Sequence, residues 1–110
     1  MAKNFKLKAE EMKDLVPPMG GCLATDKITV DGMKVGRMYR EEPDFAQDCG
    51  WRFLSGTEDQ DYVDNPDNLN YYNVNTIANY DQAIIPYLDL PCNTELERIP
   101  GTDEFAIIPG

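Results

Sequence analysis

Hydrophobic residues recur every three or four positions at the start of the chain, as they do in an amphipathic helix. They are Phe5, Ala9, Met12, Leu15 and Val16, and lysine and glutamate fill most of the positions between them. Pro17 and Pro18 follow at once, and a helix interior excludes them because proline lacks the backbone N–H donor. We therefore predict a helix over residues 5–15 that packs its apolar stripe on the protein's own sheet.

Two runs rich in β-forming residues come next, and the dipeptide Asp31-Gly32 separates them. Asp-Gly between such runs is a strong signal for a two-residue hairpin turn. The register of that hairpin predicts these facing pairs: Val30–Met33, Ile28–Val35, Asp26–Arg37 and Ala24–Tyr39. Gly36 lies inside the second run, so a bulge there leaves the pairing beyond it open.

The middle of the chain predicts one clear strand and one ambiguous segment. Residues 49–55, CGWRFLS, alternate so that Trp51 and Phe53 share one face of a strand, where we expect both to pack in the core. Residues 57–70 are polar and contain turn chemistry. Residues 71–80 suit a further strand, with a short helix as the alternative.

The last part of the chain predicts short elements only. Asp81 is expected to cap a brief helix, which Pro86 keeps short. We expect a loop over residues 91–100 and a final strand within residues 103–109. The predicted fold class is therefore α+β: a small, mostly antiparallel sheet with an N-terminal amphipathic helix and one short helix in the C-terminal half.

The length of 110 residues is enough for one domain with one modest core. We expect a single domain over residues 1–110, with residues 1–18 as an N-terminal helical extension. No apolar run reaches the roughly 18–20 residues that a membrane span needs, and the N-terminus has no signal-peptide core. The three cysteines are then expected to be reduced thiols in a cytoplasmic protein.

Negative charge is concentrated in the second part of the chain. Residues 1–40 hold eight Lys/Arg against five Asp/Glu, whereas residues 41–110 hold two against fifteen. Such a charge repels nucleic acid and anionic membranes, so neither is expected as a partner, and it favours a basic protein. A role in solubility alone is the alternative interpretation.

The residue types that most catalytic and metal sites require are missing or badly spaced. Histidine is absent, which removes the commonest general base and metal ligand. There is no C-x-x-C pair for zinc and no glycine loop of the phosphate-binding kind. Cys22 and Cys49 lie in apolar strand contexts typical of buried structural thiols. We predict no enzyme, no cofactor and no metal site.

Calcium is the most specific chemical hypothesis for the acidic residues that follow Trp51. With Asp59 as the first ligand of an EF-hand loop, Val63, Asp64 and Asn70 occupy positions that require other residues. The template therefore fails, although a weak and irregular calcium site stays open. A pair of carboxylates for hydrolysis is not a specific signal in a chain with twenty acidic residues.

Three sequence blocks, in this order and spacing, carry a resemblance to a known family. They read GGCLATDKITVDGMKVGRMYREEPD, DCGWRFLSGTED and NTIANYDQAIIPYLD. The span from Gly21 to about Arg98 resembles small bacterial domains long labelled as of unknown function and now catalogued among immunity-protein-like domains of polymorphic toxin systems. The resemblance implies a family-like core over residues 21–98 and a cytosolic, non-catalytic protein that binds and neutralises a co-encoded toxin.

The first functional hypothesis is therefore an immunity-type inhibitor that binds a basic toxin domain with an acidic surface. An acidic protein can occupy a basic cleft by imitating the nucleic-acid backbone. Tyrosines beside the acids would act as rigid anchors. The predicted partner-binding residues are Glu58, Asp59, Asp61, Tyr62, Asp64, Asp67 and Tyr71.

The alternative hypothesis is a solitary regulatory or small-ligand-binding module without a toxin partner. In that case the acids form a solvated face, and Arg40, Arg52 and the tyrosines line a pocket for a small anion. A deep pocket at those residues, or a genome position far from any toxin or secretion gene, would favour this hypothesis.

Overall fold

A computed structural model of the chain describes residues 3–108, and a six-stranded sheet is the frame of that part of the chain. Its strands are β1 (Gly21–Thr25), β2 (Arg37–Arg40), β3 (Asp48–Leu54), β4 (Leu69–Asn73), β5 (Thr94–Arg98) and β6 (Phe105–Ile107). Their spatial order is β4-β1-β3-β2-β5-β6. Among these neighbours β1 and β3 are parallel, and the other pairs are antiparallel. The predicted α+β class with a mostly antiparallel sheet is confirmed.

The helices of the described residues are all short. The α-helices are α1 (Asp26–Thr29), α2 (Gln60–Asp64) and α3 (Val74–Tyr80), and 3₁₀ turns cover Ala9–Glu11, Pro66–Asn68 and Gln82–Tyr87. Helices of this length are not stable alone, so their apolar contacts with the sheet must hold them in place.

The core lies on one face of the sheet, where α1 and α3 pack. Trp51 and Phe53 of β3 are fully buried there and stack with ring centroids 5.9 Å apart. The indole Nε1 of Trp51 donates a hydrogen bond of 3.0 Å to the carbonyl of Leu88. The predicted strand and its core-facing pair are confirmed.

The Asp31-Gly32 hairpin prediction is wrong. Residues 26–29 form α1 instead of a strand, and β3 lies between β1 and β2 in the sheet. Gly32, with a φ of 77°, lies two residues past Val30, the C-cap of α1, and closes the turn that follows the helix. Its N–H donates to the carbonyl of Ile28, and the next N–H, of Met33, donates to that of Lys27. The turn after a helix commonly uses a glycine with positive φ, just as a hairpin turn does.

The predicted helix over residues 5–15 is also wrong, because the structure has only the 3₁₀ turn Ala9–Glu11 in this segment. Side chains of α3 bind the backbone N–H groups that a helix would have used. Asn75 Oδ1 accepts from the N–H of Leu15 at 2.7 Å, and Asn79 Oδ1 accepts from that of Lys13 at 2.9 Å. The segment therefore runs along α3 while Leu15 and its apolar neighbours still pack on the core.

The remaining predictions have mixed outcomes. Residues 71–80 divide between β4 and α3 at Asn73. Asp81 caps the following turn through the N–H of Ala83 at 3.1 Å, and that turn is 3₁₀ with Pro86 inside it. The expected loop over 91–100 is wrong, because Thr94–Arg98 is a strand whose alternation buries only Leu96. The final strand is confirmed as β6, and residue 109 of that prediction lies outside the described residues.

Candidate partner-binding surface

The face of the sheet opposite the core carries a row of large side chains. Strand register places Leu23 beside Arg52, and Tyr39 beside Arg52 on its other side. Tyr71 extends the row at the β4 end, and Glu95 extends it at the β5 end. Since side chains alternate along a strand, this row faces away from Trp51 and Phe53.

A trough of about 480 Å³ lies on this second face, between α2 and the strands. We call it the sheet trough; its floor is formed by Leu23, Tyr39, Leu54 and Leu69, and its wall along α2 by Asp59, Gln60, Val63 and Asp64. Arg37, Arg52, Phe53 and Glu58 complete the lining. The surface is therefore mixed, with an apolar floor and a carboxylate-bearing wall.

A second groove of about 600 Å³ runs between residues 14–20 and the start of α3. Its walls include Pro17, Pro18, Met19 and Val74, and Asp14 is its one acidic lining residue. None of the predicted partner-binding residues lies in this groove. The sheet trough, which has three of them in its lining, is the better candidate.

Arg52 is buried at the centre of the second face, and its guanidinium is bound by carboxylates. Its Nη1 and Nη2 each donate to one oxygen of Asp48 at 2.8 Å, and its Nε donates to Glu41 at 2.8 Å. Asp44 lies 3.5 Å from Nη2. These hydrogen bonds from Arg52 hold the pKa of Asp48 well below its usual range and raise the pKa of Arg52. The pair is therefore charged at neutral pH, and it fastens residues 41–48 to the sheet.

The other arginine of the anion-pocket hypothesis, Arg40, is turned toward the core side of the sheet. Its Nε donates to the carbonyl of Cys49 at 2.9 Å, and its Nη1 donates to that of Leu90 at 2.8 Å. The guanidinium also lies 5.7 Å from the ring centroid of Trp51. Because Arg40 and Arg52 both bind internal acceptors, the structure does not present them together to a small anion.

Glu58 begins the acidic segment but turns inward. One of its oxygens accepts from Thr25 Oγ1 at 2.6 Å and from the N–H of Ser55 at 2.8 Å. The other accepts from the N–H of Gly56 at 2.9 Å. Burial by itself raises the pKa of Glu58, but the hydrogen bonds from Thr25 and the backbone outweigh burial, and the net pKa is lowered. Glu58 thus closes the turn after β3 as a carboxylate.

The four aspartates that follow are exposed, but they point in different directions. Asp59 caps α2 by accepting from the N–H of Tyr62 at 2.8 Å, and Asp64 accepts from Gln60 Nε2 at 2.8 Å. Asp59 and Asp64 line the sheet trough. Asp61 is exposed on the same helix but does not line the trough. Asp67 belongs to the 3₁₀ turn after α2.

The two predicted anchor tyrosines lie on separate parts of the surface. Tyr62 is half-buried beneath Lys27, whose Nζ lies 5.1 Å from the ring centroid. Tyr71 is 45% exposed and meets the equally exposed ring of Phe45 edge to face, with centroids 5.2 Å apart. The Arg52 guanidinium lies 6.0 Å from the Tyr71 ring.

Phe45 is the residue of this surface that sequence reasoning missed. It lies in the loop EEPDFAQD, where one large aromatic residue stands among acids that cannot form a core. An isolated aromatic residue in a charged loop is the signal that could have identified it, because such residues are often interface anchors.

The cysteines of the described residues have no disulfide partner, and burial makes two of them poor nucleophiles. Cys22 and Cys49 are buried, and that burial raises the pKa of both thiols, so they are protonated at neutral pH. Over residues 3–108, no three cysteine or acidic side chains converge as a metal-ligand group. In the same range, no helix has the length and apolar character to cross a bilayer.

Fold and surface together define a small α+β protein with one packed sheet face and one open face that bears exposed aromatic and acidic side chains. The sequence model of the Immunity protein Imm33 domain matches residues 22–108, so the chain belongs to this family. Searches of the curated proteins and of the solved structures find no significant match. Membership supports an immunity-type role, in which the protein binds a toxin.

Proposed function

We propose that this protein is an immunity-type inhibitor that binds a basic toxin domain in the bacterial cytoplasm through the acidic residues 58–67. The observation that carries the proposal is the exposure of four aspartates within a segment that contains no lysine or arginine. They are Asp59, Asp61, Asp64 and Asp67. A toxin that acts on nucleic acid needs a basic cleft for the phosphate backbone, and this segment has the opposite charge.

The chemistry of the surface suits association with a protein. Complementary charge speeds the encounter of two proteins and disfavours partners of like charge. Exposed tyrosines add rigid apolar contact area at little cost in side-chain entropy. Tyr71, with Phe45 against it, is such an anchor beside the sheet trough. Tyr62, half-buried beneath Lys27, offers a smaller aromatic surface on α2.

The predicted residues divide into two roles under this proposal. Glu58 and Asp59 hold the segment in shape, since one closes the turn after β3 and the other caps α2. Asp61, Asp64 and Asp67 then supply the charge that a partner meets. Together with Tyr62 and Tyr71 they form the proposed partner-binding surface.

The test is co-expression with the toxin domain encoded beside this protein. The intact chain should restore growth, and the triple variant D61N/D64N/D67N should restore it less. The matched control E10Q/D89N/E104Q changes the same number of exposed acids elsewhere and should protect normally. A neighbouring gene product that is harmless, or harmful whether or not this protein is present, would overturn the proposal. Equal loss of protection by both triple variants would show that net charge matters and the segment does not.

A further inference from the structure

We propose that a lysine or arginine side chain of the toxin enters the sheet trough, with its stem on the apolar floor and its charged group between Asp59 and Asp64. The inference rests on the proposed function and adds the place and chemistry of the central contact. Two features of the trough lead to it: its wall carboxylates without a cationic partner and its apolar floor.

The cations already in the trough are paired with other carboxylates. Arg37 forms an ion pair with Glu95, and Arg52 binds Asp48 and Glu41. Within residues 3–108, neither Asp59 nor Asp64 takes part in an ion pair. The trough therefore has two arginines that are already neutralised and two wall carboxylates that are not. An added cation is attracted to such a site, and an added anion is repelled.

The apolar floor of the trough favours cations that carry a long aliphatic stem. Leu23, Leu54 and Leu69 form an apolar surface directly beside the carboxylate wall. Lysine and arginine are the side chains that lay an apolar stem on such a surface while the charged end reaches polar partners. The trough volume of about 480 Å³ is enough for one long side chain, given that a water molecule occupies about 30 Å³.

The other classes of occupant fit less well. Nucleic acid would bring phosphates against Asp59 and Asp64. A second copy of this chain would bring together two molecules with a formal charge of −10 each. A basic protein segment has neither problem. Residues beside its inserted side chain would reach Tyr71, which is paired with Leu23 in the sheet, and the Phe45 ring that packs on Tyr71.

Asp64 and Asp61 make a matched pair for the test, because both are exposed on α2 and only Asp64 lines the trough. Against the toxin domain encoded beside this protein, Asp64→Asn should raise Kd about tenfold, which is the loss of one good charge contact. Asp61→Asn should raise it less than about threefold. Equal effects of the two variants would overturn the trough as the site while leaving the proposed function intact. An intact chain that does not bind the toxin overturns the proposed function itself.

A second measurement is independent of the toxin. The peptide acetyl-Gly-Arg-Gly-amide should shift the backbone amide NMR signals of Leu23, Leu54 and Val63, and its neutral citrulline counterpart should shift them much less. Asp64→Asn should reduce the shifts at a given peptide concentration, and Asp61→Asn should not. Shifts spread evenly over all exposed acids, or equal responses to the two peptides, would overturn the proposal that the trough selects a cationic side chain.

Discussion

Arg52 and Asp48 form a two-point ion pair at the buried centre of the second sheet face, with two N–O distances of 2.8 Å and exposed fractions of 2% and 3%. The residues are four positions apart on β3, where a straight strand would separate their Cα atoms by about 13 Å. Gly50, with a φ of 95°, bends the strand between them, and its N–H also donates to Asp48 at 2.9 Å. This pair links the sheet to the loop that carries Phe45.

Asp48→Asn should lower the free energy of unfolding by about 3 kcal/mol, because it leaves the buried Arg52 guanidinium without its main counter-charge. Urea denaturation measures the change. Asp44→Asn is the control: Asp44 is exposed and lies farther from the same guanidinium, so its loss should cost less than about 1 kcal/mol. Similar costs for the two variants would contradict the assigned role of the Asp48 pair.

Stability should fall in acid because of the same pair. The pKa of Asp48 is lower in the folded state than in the unfolded state, because Arg52 hydrogen-bonds its ionised form. The stabilisation is therefore complete above the unfolded pKa of about 3.9 and is lost as pH falls toward the folded value. Urea unfolding from pH 6 to pH 2 should show this decline. If the free energy of unfolding declines as steeply with falling pH in Asp48→Asn as in the original protein, other carboxylates cause the decline.

Gly50→Ala should destabilise the protein by about 2–5 kcal/mol, because a Cβ there would overlap the Glu41 carbonyl in addition to straining a positive φ. Gly101 has a similar φ of 78° and open space around it. Gly101→Ala should therefore cost only about 1 kcal/mol. Thermal unfolding of the two variants separates the strain from the overlap, and equal costs would rule out the overlap.

Glu58→Gln should loosen the turn after β3, since a neutral amide cannot accept all three hydrogen bonds as well as the carboxylate does. We expect a loss of about 1–3 kcal/mol. Hydrogen exchange should also become faster at the amides of Ser55 and Gly56. Asp61→Asn, on the exposed side of α2, should change the free energy of unfolding by less than about 0.5 kcal/mol. It should also leave the exchange rates of these two amides unchanged. Unchanged exchange in Glu58→Gln would show that the carboxylate does not hold this turn.

Tyr71→Ala should weaken toxin binding by about tenfold or more if the Phe45–Tyr71 pair anchors the partner. Tyr71→Phe keeps the ring and should bind nearly as well as the original protein. Calorimetric titration of the toxin domain measures both affinities. A loss as large in Tyr71→Phe as in Tyr71→Ala would point to the hydroxyl group and away from the ring.

The Asp-Gly turn signal and the helical spacing near the N-terminus each predicted a local feature but not the element that contains it. The Asp-Gly signal correctly located a glycine with positive φ, but the turn after a helix and a hairpin turn both use that conformation. Of the apolar residues whose helical spacing predicted that helix, Leu15 and Val16 pack against the core, whereas Phe5 and Ala9 are exposed. The spacing did not reveal that Asn75 and Asn79 would bind the backbone of this segment and keep it extended.

In the candidate surface, too, local features could be predicted from the sequence and long-range contacts could not. The acidic character of residues 58–67 and the exposure of its aspartates follow from composition, because unpaired charges stay in water. The inward turn of Glu58 depends on Thr25, which is 33 positions away in the chain. The contact between Phe45 and Tyr71 likewise depends on the pairing of β4 with β1 and of β1 with β3.

The sequence by itself determined the α+β class, the core-facing side of β3, the cap at Asp81 and the acidity of the segment after Trp51. Each of these follows from local chemistry or from side-chain alternation, which act over a few residues. Only the tertiary structure decided the strand order, the burial of Arg52 against Asp48 and the trough between α2 and the sheet. These features arise from pairing between distant strands, and the register of that pairing is set by the packing of the whole core.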